Sequence, residues 1–202
     1  ISGAGAAGTA IAQLLRGVNF ADADWEPVED IVVCDSRGAI HAGRAGLSPE
    51  KEALLAYTNQ AAHTGSVHEV LEGADVFIGV SKGGLLAAGD IQRMAEAPII
   101  LAMANPEPEI MPDVALAAGA AIVGTGRSDF PNQVNNVLAF PGIFRGALDA
   151  GARVIDGAMK VAAAHALAAA VADPLPERIL PQPMDRSVAP LIAEAVRRAV
   201  GQ

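Results

Sequence analysis

Short apolar runs alternate with amphipathic stretches along most of this chain, the pattern of a parallel sheet covered by helices. Ile1-Ser2 is a strand stub, and Gly3 to Leu15 is a Gly-rich turn running into a helix with apolar Ile11, Leu14 and Leu15. A polar loop follows from Asn19 to Asp30, and Ile31-Val32-Val33-Cys34-Asp35 is a buried strand ending in an acid. Ser48-Pro49-Glu50 opens a helix, with Pro at the first helical position and acids in the first turn. The spacing then predicts a helix over His68–Gly73, a strand over Asp75–Val80, a helix over Ala88–Ala95 and a strand over Pro98–Ala104, stopped by Asn105-Pro106. A brief helix at Pro112–Ala118 and a strand at Ala121–Gly124 complete the alternation. From Ile143 onward the pattern is helical, broken around Pro174–Pro183 and resumed from Arg186 to Val200. The fold class is α/β: a doubly wound parallel sheet with helices on both faces over 1–142, then a helical C-terminal extension over 143–202.

Composition narrows the function classes. Half of the residues are apolar, 51%, yet none of the runs reaches the roughly 18 uninterrupted apolar residues of a membrane span. The net charge of −9 argues against nucleic acid, which demands clustered Lys and Arg. The basic pair Arg197-Arg198 sits in a helical pattern and reads as a solvated face. One cysteine, Cys34, forbids an internal disulfide and suits a reducing compartment, so the cytoplasm is the expected location. The start at Ile1, with no initiator Met and little strand before the glycines, suggests a piece of a longer polypeptide.

Gly3-Ala4-Gly5-Ala6-Ala7-Gly8 matches G-x-G-x-x-G, the fingerprint of a Rossmann-like dinucleotide site. The first Gly permits a tight turn, the second lets backbone approach a pyrophosphate, and the third lets helix pack on strand. The N–H groups of Ala6 and Ala7 open the helix, where its dipole favours an anion. Asp35 ends the next strand, slightly beyond the usual spacing of about 20 residues, an excess that the loop around Trp25 accounts for. A carboxylate there accepts ribose hydroxyls and suits NAD. Ser36 and Arg37 beside it suit the 2′-phosphate of NADP, and the choice stays open.

Four further segments are more distinctive: Gly79-Val80-Ser81, Ala104-Asn105-Pro106-Glu107-Pro108-Glu109-Ile110, the run Thr125 to Asn136, and Phe140 to Asp149. Together they resemble the bacterial malic enzymes, from Ile1 to about Val200. The family commonly has a Pro where Gly83 or Gly84 stands here. The resemblance implies oxidation and decarboxylation of malate to pyruvate and carbon dioxide, with NAD or NADP and a Mg or Mn ion. It also implies a homo-oligomer, dimer or tetramer. It places Asn105 and the pair Asn135-Asn136 toward malate and the nicotinamide, without saying which of the pair points inward. Ser81 either contacts the nicotinamide side or caps the turn at Gly83-Gly84. Arg127 and Asp129 are read as a structural ion pair.

The family's Tyr acid, Lys base and Glu-Asp…Asp metal set lie upstream of the Gly-rich turn, so catalytic and metal residues are expected outside this chain, which alone should be inactive. Tyr57 reads as packing in an amphipathic helix. Lys51, Lys82 and Lys160 match no catalytic motif, Glu107 and Glu109 read as a solvated turn, and His41, His63, His68 and His165 are scattered. The rival readings are a cofactor domain of the leucine, glutamate or methylenetetrahydrofolate dehydrogenase type, and a nucleotide-binding module without activity of its own.

Overall fold

In the computed structural model, residues 1–18 and 26–201 are described. Most of the polar loop after the first helix, with Trp25, lies outside them. Helix α1 spans Ala6–Leu15, α2 Pro49–Leu54, α3 Val67–Val70, α4 Ala88–Ile91 and α5 Pro112–Ala117. Strands are β1 Cys34–Asp35, β2 Gly38–Ala39, β3 Val76–Gly79, β4 Ile99–Ala102 and β5 Ile122–Thr125. Three longer helices follow: α6 Phe140–Asp149, α7 Gly157–Ala169 and α8 Val188–Ala199. The chain divides into two compact units, one running through Phe130 and the other starting at Pro131.

In the first unit β3, β4 and β5 pair in parallel, in that order. The two residues Ile1-Ser2 extend this sheet. Ser2 pairs in parallel with Gly79 on one side and Cys34 on the other. Its N–H donates to Ile78 O at 2.8 Å and its carbonyl accepts from Val80 N at 2.9 Å, while Gly3 N–H donates to Cys34 O at 2.8 Å. The stub is thus central, and the connections leave it in opposite directions, which defines the switch point of a doubly wound sheet. The Ile31–Asp35 run is shorter as a regular strand than its apolar pattern suggests. After Asp35 the chain folds straight back, and β1 pairs antiparallel with β2. Burial alternates along β3 and β4: Phe77, Ile100 and Ala102, with Val123 of β5, enter one core with Ile91 and Ile110, while Ile78, Ile99 and Leu101 are half-buried and Val76 is exposed. A second core under α1 gathers Ala12, Ile31, Val33, Ile40 and Leu54. Tyr57 lies in the turn after α2 rather than in a helix, packed against that core.

In the second unit, small residues let helices touch. A Cβ on Gly142 would lie 2.6 Å from Ile192 Cβ, and one on Gly146 would lie 2.4 Å from Ala193 O. These positions are one turn apart on α6, so α8 lies directly against its backbone. Met159, Ile192 and Val196 fill the core beside them. Asp156 caps α7, accepting from Met159 N–H at 3.0 Å. Arg197 and Arg198 both pair with Glu194 on the solvent side of α8, as the solvated-face reading expects. Among the described residues, no helix is long and apolar enough to cross a membrane.

The two kinds of glycine predict opposite signs. Gly146→Ala should gain about 1 kcal/mol of helix propensity but lose roughly 1–3 kcal/mol to overpacking against α8, for a net loss. Gly89 in α4 has open space around its missing Cβ, so Gly89→Ala should stabilise by about 0.5–1 kcal/mol. Urea unfolding of both variants checks the contrast.

Candidate functional site

The Gly-rich turn leaves the central strand stub and enters α1. Its three glycines do different work. Gly3 has φ +119°, and a Cβ there would sit 2.6 Å from Val80 O. Gly8 is buried, and its Cβ would sit 1.8 Å from Gly3 O. Both are demanded by backbone packed on backbone. Gly5 has ordinary extended backbone, and nothing lies within 4 Å of its missing Cβ. It is exposed together with Ala6 and Ala7, and no side chain caps the helix. The first-turn N–H groups of α1, which lack helical acceptors by construction, therefore face open volume.

Asp35, at the end of β1, is tied down by cations. Its oxygens accept from Arg44 at 2.6 and 2.7 Å, from Lys51 Nζ at 2.6 Å and from Arg37 N–H at 2.8 Å. Burial pushes its carboxyl up, but Lys51, Arg44 and the Arg37 N–H outweigh this and hold the pKa at about 2. The Arg44 side chain is itself only 8% exposed, and its Nε has no partner among the described residues. Ser36 and the Arg37 side chain are exposed beside this cluster. Arg44 and Lys51 were not picked out from the sequence; the only signal was their basic character just after the acid-ended strand.

At the other side of the switch point, Ser81 follows β3 and Asn105 follows β4. Ser81 does not cap the Gly83-Gly84 turn: Gly84 N–H donates to Pro108 O. The Ser81 hydroxyl instead lies 2.9 Å from Ser2 Oγ, and its N–H donates to Glu109 Oε1 at 2.9 Å. The Asn105 side chain is exposed at the strand end. Glu109, read as part of a solvated turn, is fully buried at 0% exposure; only Glu107 is exposed. The Arg127–Asp129 ion pair forms as read, at 2.9 and 2.6 Å, on the surface, with Arg127 also over the Phe130 ring. An exposed pair of this kind contributes little stability.

The second unit holds the Asn-rich run. Asn135 caps a short 3₁₀ turn over Asn136–Leu138, accepting from Val137 N–H at 3.0 Å. Asn136 is exposed. Asn132, which the sequence did not single out, is the buried member: it donates to Pro176 O at 2.7 Å and accepts from Ile179 N–H at 2.9 Å, pinning the proline-rich connection. Among the described residues no three His, Cys, Asp or Glu side chains are grouped as metal ligands.

An α/β sheet with a Gly-rich turn at its switch point and an acid closing the adjacent strand defines a Rossmann-like dinucleotide-binding domain. Comparison with known proteins is in accord and more specific. Residues 1–200 match the family model described as "Malic enzyme, NAD binding domain", and the chain belongs to that family. It is 53% identical to the bifunctional malic/malolactic enzyme of Bacillus subtilis over 98% of this chain and 47% of that one. It is 48% identical to an NADP-dependent malic enzyme of Rhizobium meliloti, over 88% of this chain and 22% of the relative. The crystal structure of the NAD-dependent malic enzyme of Thermotoga maritima superposes with a TM-score of 0.81 at 42% identity, covering 85% of this chain and 45% of that one. The chain thus spans at most about half the length of these relatives. The family match sets aside the amino-acid and folate dehydrogenase alternatives.

The Asp35 cluster predicts an acid limb in stability. Its folded pKa of about 2 lies below the ordinary 3.8, so its contribution is complete above about pH 4 and is lost as pH falls toward about 2. Asp35→Asn should flatten that limb and cost about 2 kcal/mol near neutrality. Urea midpoints across this range measure both.

Proposed function

We propose that this chain is the dinucleotide-binding part of an enzyme that oxidises and decarboxylates malate to pyruvate and carbon dioxide, with NAD or NADP as acceptor. The observation that carries the cofactor reading is the division of labour among the glycines. Gly3 and Gly8 are spent on packing, and Gly5 with Ala6 and Ala7 leaves room for a pyrophosphate against exposed N–H groups. The bound dinucleotide supplies the hydride acceptor. The chain orients it: the turn and α1 hold the pyrophosphate, Asp35 with Ser36 and Arg37 holds the adenosine ribose, and Ser81 and Asn105 meet the nicotinamide half.

For substrate, Asn105 offers a neutral amide that can bind a carboxylate or hydroxyl without repelling or trapping a dianion. Of the Asn135-Asn136 pair, we take Asn136 as the substrate residue, because the Asn135 oxygen is occupied in capping. Among the described residues no ligand set forms for the Mg or Mn ion that the family chemistry uses. The Glu109 oxygens are occupied by N–H donors. The ion's ligands, the acid and the base belong to the portion of the relatives that this chain does not span. We extend the reading to a homo-oligomeric enzyme of the cytoplasm that binds neither nucleic acid nor membrane.

Calorimetric titration of the chain with NAD and NADP tests the cofactor reading. Gly5→Val should fold with unchanged Tm, since β-region backbone and open space tolerate a side chain, yet bind at least about tenfold more weakly. Unaltered affinity would contradict it. At the adenosine end Arg44 and Lys51 both pair with the one Asp35 carboxylate and the Arg37 side chain is exposed beside them, an excess of positive charge that supports acceptance of a 2′-phosphate. Lys51→Ala should therefore weaken NADP relative to NAD, roughly threefold to tenfold. Equal losses for both cofactors would assign Lys51 to holding Asp35 alone.

A further inference from the structure

Glu109 is a charged side chain taken wholly out of solvent, and the local fold is shaped around it. Oε1 accepts from Ser81 N–H at 2.9 Å and from the Ser81 hydroxyl at 3.4 Å, and Oε2 accepts from Ala104 N–H at 3.0 Å. Both oxygens act as acceptors, the pattern of an ionised carboxylate. Gly79 has no room for a side chain because the carboxylate would lie 2.3 Å from its Cβ. The backbone joins in: Leu86 N–H donates to Glu109 O at 2.8 Å, and Gly84 N–H to Pro108 O at 3.0 Å.

These contacts have one geometric consequence. Ser81 follows the carboxyl end of β3, and Ala104 immediately precedes Asn105 after β4. Through Ser81 the set reaches Ser2, the end of the central strand stub. One carboxylate thus fixes the exits of three neighbouring strands at the switch point. Burying an ion among neutral donors is costly compared with an apolar residue of similar size. An apolar side chain, however, would leave the Ser81 and Ala104 N–H groups without acceptors and their loops without a fixed aim.

We propose that Glu109 is a positioning residue for the nicotinamide half of the bound dinucleotide. It does not touch the cofactor. It sets Ser81 and Asn105, which do, and it has no part in the adenosine half, which is held at Gly5 and Asp35. The proposal rests on the cofactor reading given above.

The test separates the two halves of the ligand. The reduced dinucleotide that wild type binds more tightly, NADH or NADPH, is titrated by its nicotinamide fluorescence. ADP-ribose or its 2′-phosphate, correspondingly, is titrated in competition. In wild type, binding should enhance and blue-shift the emission. In Glu109→Ala the emission of bound cofactor should fall toward that of free cofactor, while the ADP-ribose Kd is unchanged. Glu109→Gln should recover part of the signal, because its amide oxygen still accepts one N–H while its NH₂ opposes the other. If Glu109→Ala does not fold, the Gln variant decides alone, and a wild-type signal from it overturns the proposal. So does an ADP-ribose affinity that falls in step with that of the dinucleotide. Failure of wild type to bind ADP-ribose would overturn the cofactor reading, and this proposal with it.

Discussion

The approach of backbone to backbone at the first eight residues is the constraint on which the rest of the first unit depends. Ser2 bonds to strands on both sides, and the chain must then turn within three residues to lay α1 over them. That is possible only because Gly8 sits against the Gly3 carbonyl and Gly3 against the Val80 carbonyl, distances no side chain survives. With α1 so close, its buried stripe can be only Gly8 and Ala12. The helix N-terminus is thereby aimed at the crevice outside the strand ends, and Gly5 is the one glycine left over for a ligand. The abundance of Gly and Ala has the same cause in the second unit, where Gly142 and Gly146 bring α6 onto α8.

Two carboxylates flank this crevice and are handled in opposite ways. Asp35 is neutralised by Arg44 and Lys51, so its charge is spent and the surplus around it is positive. Glu109 is satisfied by neutral N–H and O–H donors, and its charge organises loops. The first arrangement suits a site that meets a ribose or a phosphate. The second suits one in which geometry matters more than charge. Both are charge-assisted bonds, shorter or stronger than neutral ones, and both are worth more for being sheltered from water.

The alternation of strands and helices was legible because the parallel strands are short apolar runs, and Pro49 and Pro112 mark helix starts. The Gly-rich turn and the Arg127–Asp129 pair were legible for local reasons: each is specified within six residues. What escaped was non-local. Glu109 stands between prolines in a charged loop, the usual signature of a solvated turn, and only its contacts 28 residues back with Ser81 reverse that reading. The one trace in the sequence was Gly79, a strand glycine with no turn to explain it. Arg44 and Lys51 likewise reach Asp35 across 9 and 16 residues, through a β1–β2 reversal that the apolar run did not announce. Asn132 was hidden among asparagines, since nothing in the local sequence pattern sets it apart from Asn135 and Asn136.

If one dinucleotide lies across the switch point, its pyrophosphate rests at the start of α1 and its nicotinamide half beyond β3 and β4. Amide NMR of the chain, titrated with NAD or NADP, tests this residue by residue. The Gly5, Ala6 and Ala7 resonances should then shift together with Arg37 at one end and Ser81 and Asn105 at the other, all saturating at a single Kd. Shifts confined to other surfaces, or a Gly5–Ala7 segment left unmoved at saturation, would contradict it.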